Sequence, residues 1–190
     1  MASSFMKESL ACFTSFIHLH SGDMLTQKTS RCTGSVNSAI FTIGGSDVSP
    51  LEKEIIRRKL LIIAENLKAL EPIGKMTSGE YISDVYKRKA TERLLQELIE
   101  AAIDINSHRI VQTGNAAPDD YCESFIKTGV LKIIPADLAE KLAPSAGLRN
   151  RRVHEYDLLD HSLVLEAVKI AEKLYPKYIQ EIEPFISGRI

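Results

Sequence analysis

The segment from Gly147 to Tyr156 contains the side chains of this sequence that are best suited to chemistry. Three arginines, an amide, an imidazole and a phenol lie within the eight residues 149–156. Cleavage of a phosphodiester without a metal needs a group that moves a proton and a cation that stabilises charge on the phosphoryl oxygens. Histidine suits the first task because its unperturbed pKa is about 6.5, and arginine suits the second because its planar guanidinium matches phosphate oxygens. The segment therefore indicates phosphodiester chemistry.

The spacing of Arg149, Asn150 and His154 limits how these side chains could meet. Asn150 and His154 are four residues apart and would lie on one face of a helix. Arg149 and His154 are five residues apart, which is roughly 140° around the axis of a regular helix. Either the helix unwinds near His154, or two chains pool their arginines and histidines across a twofold axis. We favour the combination, because a symmetric cleft would also concentrate positive charge.

A purely structural interpretation of these residues is the alternative. Basic residues are common at helix C-termini, where they complement the helix dipole and cap free carbonyls, and a histidine there is often only a cap. The formal net charge is −1, so the chain as a whole does not resemble a nucleic-acid binder. Any contact with RNA must come from a local basic patch.

The composition indicates one domain preceded by a tail. A chain of 190 residues with 44% apolar side chains is sufficient for one buried core. Residues 1–48 contain fourteen Ser or Thr and only six charged residues, so we predict a flexible tail there and the domain over 49–190. An organellar transit peptide or an overlong gene start are alternatives for the tail. The three cysteines lack C-x-x-C spacing, and no apolar window approaches the ~20 residues of a membrane span, so we expect a cytoplasmic protein without disulfides or zinc.

The spacing of apolar residues predicts helices and no strand pairs, and therefore an all-α, up-and-down bundle. Ser49-Pro50-Leu51-Glu52 is a capping box that begins the first helix, which we expect to end before Pro72. A short helix is predicted over Gly79–Tyr86, followed by a long one that Gly114 terminates.

The second half of the chain is predicted to contain three further helices. The first ends at Gly129, and the next begins after Pro135 and must bend or restart near Pro144 and Gly147. The last helix begins near Asp160, and Pro176 should kink it or divide it in two.

The residues from Arg149 to Tyr156 resemble the R-x4-6-H motif of HEPN-domain ribonucleases, in the R-N-x-x-x-H-x-Y form of the HepT-like branch. The resemblance extends over roughly residues 49–186, through the segments 92–96 and 101–105 and the join from 129 to 135, and leaves the tail unmatched. It implies a homodimeric helical bundle in which paired motifs face a shared twofold cleft and cut RNA without a metal or cofactor.

The resemblance also implies roles for individual residues. Arg149 and His154 would be the catalytic pair, with Asn150 supporting their geometry. HepT-like proteins are toxins of type VII-like toxin–antitoxin systems, neutralised by a minimal nucleotidyltransferase antitoxin that transfers AMP to the motif tyrosine, here Tyr156. Arg151 and Arg152 fall at variable positions, and we expect them to contact RNA phosphates.

Other polar clusters are weaker candidates. Asp104 and His108 lie four residues apart on the predicted long helix, but the Glu-x-x-His pairs of carboxylate-bridged metal sites are absent, so we expect no metal. Asp104 is also a candidate to orient Arg149 or His154 from a neighbouring helix. The basic cluster Lys87–Lys89 is usually a solvated face, although it could extend an RNA track.

Two hypotheses compete with the ribonuclease. One is a catalytically silent HEPN module that binds nucleotide or RNA or scaffolds a nucleotidyltransferase. The other is a helical interaction protein, for which charge-neutral changes at Arg149 would have no effect.

Overall fold

A computed structural model of the protein describes residues 49–149 and 161–187, and every regular element in them is a helix. In chain order the elements are α1 (Pro50–Gly74), α2 (Ser78–Ser83), α3 (Val85–Gln112), α4 (Tyr121–Val130), α5 (Ala136–Leu142), a 3-10 helix (Ala143–Ser145), α6 (Ala146–Arg149) and α7 (His161–Ser187). The predicted all-α class is confirmed.

Helix α1 begins as predicted and ends later than predicted. The Ser49 hydroxyl accepts a hydrogen bond from the Glu52 amide at 3.3 Å, and the Glu52 carboxylate accepts one from the Ser49 amide at 2.8 Å. The prediction that the helix ends before Pro72 is wrong, because α1 continues to Gly74. Ile73 is only 8% exposed and belongs to the core, so packing on both sides of the proline maintains the last turn.

The short helix predicted over Gly79–Tyr86 is instead interrupted at Asp84. The Asp84 carboxylate accepts hydrogen bonds from the amides of Tyr86 and Lys87, at 3.0 and 3.1 Å, and so caps the start of α3. A capping box at Thr77 begins α2. The short helix and the long helix that follows it are thus both present, and local side-chain hydrogen bonds place the boundary between them at Asp84 rather than after Tyr86.

Helices α1 and α3 run in opposite directions. Lys59 near the start of α1 pairs with Asp104 toward the end of α3, at 2.5 Å. Further along α1, the Asn66 amide donates to the carbonyl of Leu94, closer to the start of α3, at 3.3 Å. The connection through α2 therefore reverses the chain.

Helices α3 and α7 run in the same direction. The Tyr178 hydroxyl donates to the carbonyl of Ala102, and seven residues further along each helix the Arg109 guanidinium stacks on the Phe185 ring at 3.9 Å. Arg109 is 7% exposed, and this burial lowers the pKa of its guanidinium. Helices α4 and α5, the 3-10 helix and α6 lie between α3 and α7 in the chain.

The end of α3 is as predicted, since Gly114 has a positive φ of 78° directly after the helix. The end of α4 differs, because Gly129 lies inside the helix and Lys132, with φ 56°, has the left-handed conformation. Gly129 has another function: a Cβ placed there would lie 2.7 Å from the Cβ of Ala139. This glycine therefore permits close packing of α4 on α5.

Helix α7 is continuous through Pro176, so this proline does not divide it, and the alternative that it kinks the helix stays a prediction. Tyr175 and Tyr178 are buried on one face of the helix, whereas Pro176 is exposed. The core contacts on both sides of the proline keep the helix continuous.

None of the helices in residues 49–149 and 161–187 is long and apolar enough to cross a membrane.

Two of the helical glycines, Gly129 and Gly79, allow a matched test of this packing. Gly129→Ala should lower the free energy of unfolding by about 1–3 kcal/mol, because the new methyl group must displace α4 or α5. Gly79→Ala places its methyl group in open space and should be neutral or stabilising by up to ~1 kcal/mol. Urea unfolding of both variants measures the difference, and equal effects would contradict the packing role of Gly129.

Candidate active site

The predicted catalytic segment begins at the last residue of α6 and leads into α7. Arg149 is the final residue of α6, which follows the 3-10 helix directly. The other predicted site residues lie outside the described residues; they are Asn150, Arg151, Arg152, His154 and Tyr156. Their positions and roles therefore stay predictions, and the structure describes the two elements that flank them.

The upstream end of the segment is bonded to α7 through the 3-10 helix. The Ser145 hydroxyl donates to the carbonyl of Leu142 at 2.6 Å and lies 3.0 Å from the hydroxyl of Tyr175. Because the single hydroxyl hydrogen of Ser145 is directed to Leu142, Tyr175 is the donor of the second bond. Ser145 and Tyr175 are each only 1% exposed, so this bond lies in the dry interior.

A second tyrosine of α7 makes the equivalent connection to α3. The Tyr178 hydroxyl lies 2.7 Å from Oδ1 of Asn106 and 3.2 Å from the carbonyl of Ala102. The rings of Tyr175 and Tyr178 pack edge to face, with centroids 6.2 Å apart. Burial raises the pKa of both phenols, so both remain neutral hydrogen-bonding groups. Helix α7 is thus joined on one face to α3 and to the turn before Arg149.

The downstream end of the segment contacts α2. The His161 ring, at the first residue of α7, packs edge to face against the ring of Tyr81, with centroids 6.5 Å apart. Tyr81 is fully buried, and this burial raises the pKa of its phenol. The described residues that flank the motif therefore contact α7 on the upstream side, through Ser145, and α2 on the downstream side, through His161.

Asp104, a candidate to orient the catalytic residues, has a different partner in the structure. Its carboxylate pairs with Lys59 of α1 at 2.5 Å, and the two side chains are 46% and 34% exposed. This ion pair joins α1 to α3 at the surface. No group of three or more metal-ligating side chains occurs in residues 49–149 and 161–187.

The basic cluster Lys87–Lys89 lies in the first turns of α3, and each of its side chains has a local partner. Lys87 pairs with Asp84 at 3.4 Å and Lys89 with Glu92 at 3.5 Å. The Arg88 guanidinium donates to the carbonyl of Ile82. These contacts favour the interpretation of a solvated helix start over an RNA track.

Comparison with known proteins places this bundle among ribonucleases. The model of the ribonuclease HepT-like family matches residues 63–183. The tRNA nuclease HepT of Aphanizomenon flos-aquae is 37% identical over 136 residues, which cover 72% of this chain and 92% of that protein. The mRNA nuclease HepT of Shewanella oneidensis is 26% identical over 133 residues, which cover 70% of this chain and 94% of that protein.

Solved structures show the same architecture. The tri-AMPylated Shewanella oneidensis HEPN toxin in complex with MNT antitoxin is similar with a TM-score of 0.55 and 25% identity, over 70% of this chain and 95% of that one. A toxin–antitoxin structure with AMP-PNP is similar with a TM-score of 0.53, also at 25% identity and over the same shares of the two chains.

The helical architecture, with an arginine- and histidine-containing segment between α6 and α7, defines a HEPN-type ribonuclease. The chain belongs to the ribonuclease HepT-like family, whose model covers more than half of it.

The two interpretations of Asp104 predict different results for a pair of variants. Asp104→Asn and Lys59→Met should each leave RNA cleavage unchanged and lower stability by no more than ~1 kcal/mol, because the ion pair is partly exposed. Initial cleavage rates and thermal unfolding test both expectations. A loss of cleavage in Asp104→Asn but not in Lys59→Met would instead indicate that Asp104 orients the catalytic residues.

Proposed function

We propose that this protein is a metal-independent toxin ribonuclease in which Arg149 and His154 cleave RNA and Tyr156 is the site of control. The observation that carries the proposal is the match to the HepT-like family over residues 63–183, which includes the whole R-N-x-x-x-H-x-Y segment. The position of Arg149 at the end of α6, next to a buried core, supports it.

In the proposed reaction, the 2′-hydroxyl of a ribose attacks the adjacent phosphorus and the 5′-oxygen of the next nucleotide leaves. The products are a 2′,3′-cyclic phosphate and a free 5′-hydroxyl. His154 acts as the general base or acid, accepting the proton of the nucleophile or giving one to the leaving oxygen. Arg149 stabilises the negative charge that develops on the non-bridging oxygens, and Asn150 supports the geometry of this pair.

Two copies of the chain would complete the active site. The five-residue spacing of Arg149 and His154 is unfavourable for one regular helix, so a twofold cleft formed by two copies provides the simplest convergence on one phosphate. Arg151 and Arg152 would add phosphate contacts along the same cleft. Positive charge would then be concentrated at the cleft although the chain carries a net charge of −1.

AMP transfer to Tyr156 would switch the enzyme off electrostatically. Tyr156 lies two residues from His154, so a nucleotide attached to its oxygen would lie at the mouth of the cleft. Its phosphate would repel RNA and occupy the arginines. The proposed partner is a minimal nucleotidyltransferase antitoxin, as in the Shewanella oneidensis complex.

The domain is proposed to extend over residues 49–190 in the cytoplasm, with residues 1–48 as a flexible tail that takes no part in catalysis. The family match begins at residue 63, inside α1, which is compatible with this division.

Removal of the His154 imidazole should abolish most of the activity. In chelator, His154→Ala should cut RNA about 10²- to 10⁴-fold more slowly than the wild type, because general acid–base catalysis contributes that much. His108→Ala is the control, since His108 lies on α3 and contacts Gln112. Equal cleavage by wild type and His154→Ala would contradict the mechanism and favour a silent HEPN module.

Intact mass spectrometry can detect the transfer of AMP to Tyr156. After co-expression with a minimal nucleotidyltransferase, intact mass spectrometry should show mass added in AMP-sized steps, absent in Tyr156→Phe. Tyr86→Phe is the matched control, because its phenol is 85% exposed and equally available to a non-selective enzyme. Added mass that persists in Tyr156→Phe would show that another residue is modified.

A further inference from the structure

We propose that Tyr175 is a positioning residue for the catalytic arginine: its buried hydroxyl fixes the 3-10 helix from which α6 and Arg149 project. This inference rests on the proposed role of Arg149. It arises from the hydrogen bond between Tyr175 and Ser145, which joins residues 30 positions apart in the sequence at 3.0 Å.

The connection from Ser145 to Arg149 is short and stiff. Ser145 is the last residue of the 3-10 helix, and α6 continues from Ala146 to Arg149 without a loop. Four residues of helix rise only ~6 Å, so a rotation at Ser145 is passed directly to Arg149. Ala146 is 1% exposed and Leu148 packs against the core, so one side of α6 is already confined.

The bond from Tyr175 connects the 3-10 helix to another helix of the bundle, which hydrogen bonds within the turn cannot do. Neither α5 nor the 3-10 helix has a side-chain hydrogen bond at its cap. The Ser145 hydroxyl contacts the carbonyl of Leu142 within the same turn, which stabilises the turn but does not orient it against the bundle. The bond from Tyr175 does orient it, because Tyr175 is on a long helix that packs on α1 and α3.

Tyr178 provides a matched control on the same helix. Its hydroxyl is also buried and hydrogen-bonded, but its partners are Asn106 and Ala102 of α3. Replacement of either tyrosine by phenylalanine removes one hydroxyl and leaves the ring packing intact. The two variants therefore remove similar interactions, and only Tyr175→Phe releases the turn before Arg149.

The test compares Tyr175→Phe and Tyr178→Phe in the full chain by thermal unfolding and by the kcat and KM of RNA cleavage in chelator. Both variants should lose a similar amount of stability. Tyr175→Phe should lower kcat about 10- to 100-fold with KM nearly unchanged, because a displacement of ~1 Å is sufficient for such a loss. Tyr178→Phe should stay within about twofold of the wild type. Equal losses of kcat in both variants, or in neither, would overturn the proposal.

Hydrogen exchange provides a readout that does not depend on activity. Amides in residues 146–149 should exchange faster in Tyr175→Phe than in Tyr178→Phe, and equal exchange would overturn the positional role.

If wild type and His154→Ala cut RNA equally, the proposed function fails, while hydrogen exchange still decides whether Tyr175 fixes the turn. If Tyr175→Phe does not fold, Ser145→Ala removes the same bond from the other side. When Tyr175→Phe folds, adding Ser145→Ala should cause little further loss of kcat, since both changes remove the bond between Tyr175 and Ser145, and the bond from Ser145 to Leu142 lies within the turn and does not orient it.

Discussion

The packing of α1, α3 and α7 around one apolar core is the interaction on which the rest of the structure depends. Each of these three long helices contributes completely buried side chains to the core, among them Ile63, Leu98 and Tyr178. Burial of a large apolar side chain contributes about 1.5–3 kcal/mol, whereas a short helix such as α6 has almost no stability of its own. The short helices α4 to α6 therefore take their positions from this core, and so does Arg149 at the end of α6.

Polar groups inside the core determine how the short helices are oriented. Apolar contacts are nearly non-directional, so they fix distance better than rotation. The hydrogen bonds of the Tyr175 and Tyr178 hydroxyls are directional, and the two side chains lie on one face of α7 because they are three positions apart. One joins the turn before the catalytic segment and the other joins α3. A single face of α7 thus connects α3 to the turn before Arg149.

The distribution of charge explains how an RNA-cleaving enzyme can have a net charge of −1. Several basic side chains of the described helices pair with an acid three or four residues away, which removes much of their attraction for phosphate. Pairs of this kind are Arg57–Glu54, Arg58–Glu54, Lys75–Glu71, Arg93–Glu97 and Lys141–Asp137. By contrast, the segment 149–154 contains three arginines and no acid. Positive charge available to a substrate is therefore concentrated in the sequence at the motif.

The amino-acid sequence by itself determined the features that depend on neighbouring residues. The capping box at Ser49, the stop at Gly114 and the restart near Pro144 were predicted because cap hydrogen bonds and backbone sterics act within about four residues. The same locality made the R-N-x-x-x-H-x-Y pattern recognisable from the order of its side chains, and the catalytic roles of its residues stay a proposal.

Only the tertiary structure decided the features that depend on distant residues. Gly129 was interpreted as a helix stop, but it permits the approach of α5, and Pro176 leaves α7 whole because core contacts on both sides outweigh one lost hydrogen bond. No local signal distinguishes Tyr175 from a tyrosine that merely packs, since its partner is 30 residues away. Such contacts are set by how the long helices pack, and packing is a property of the whole core rather than of any short stretch of sequence.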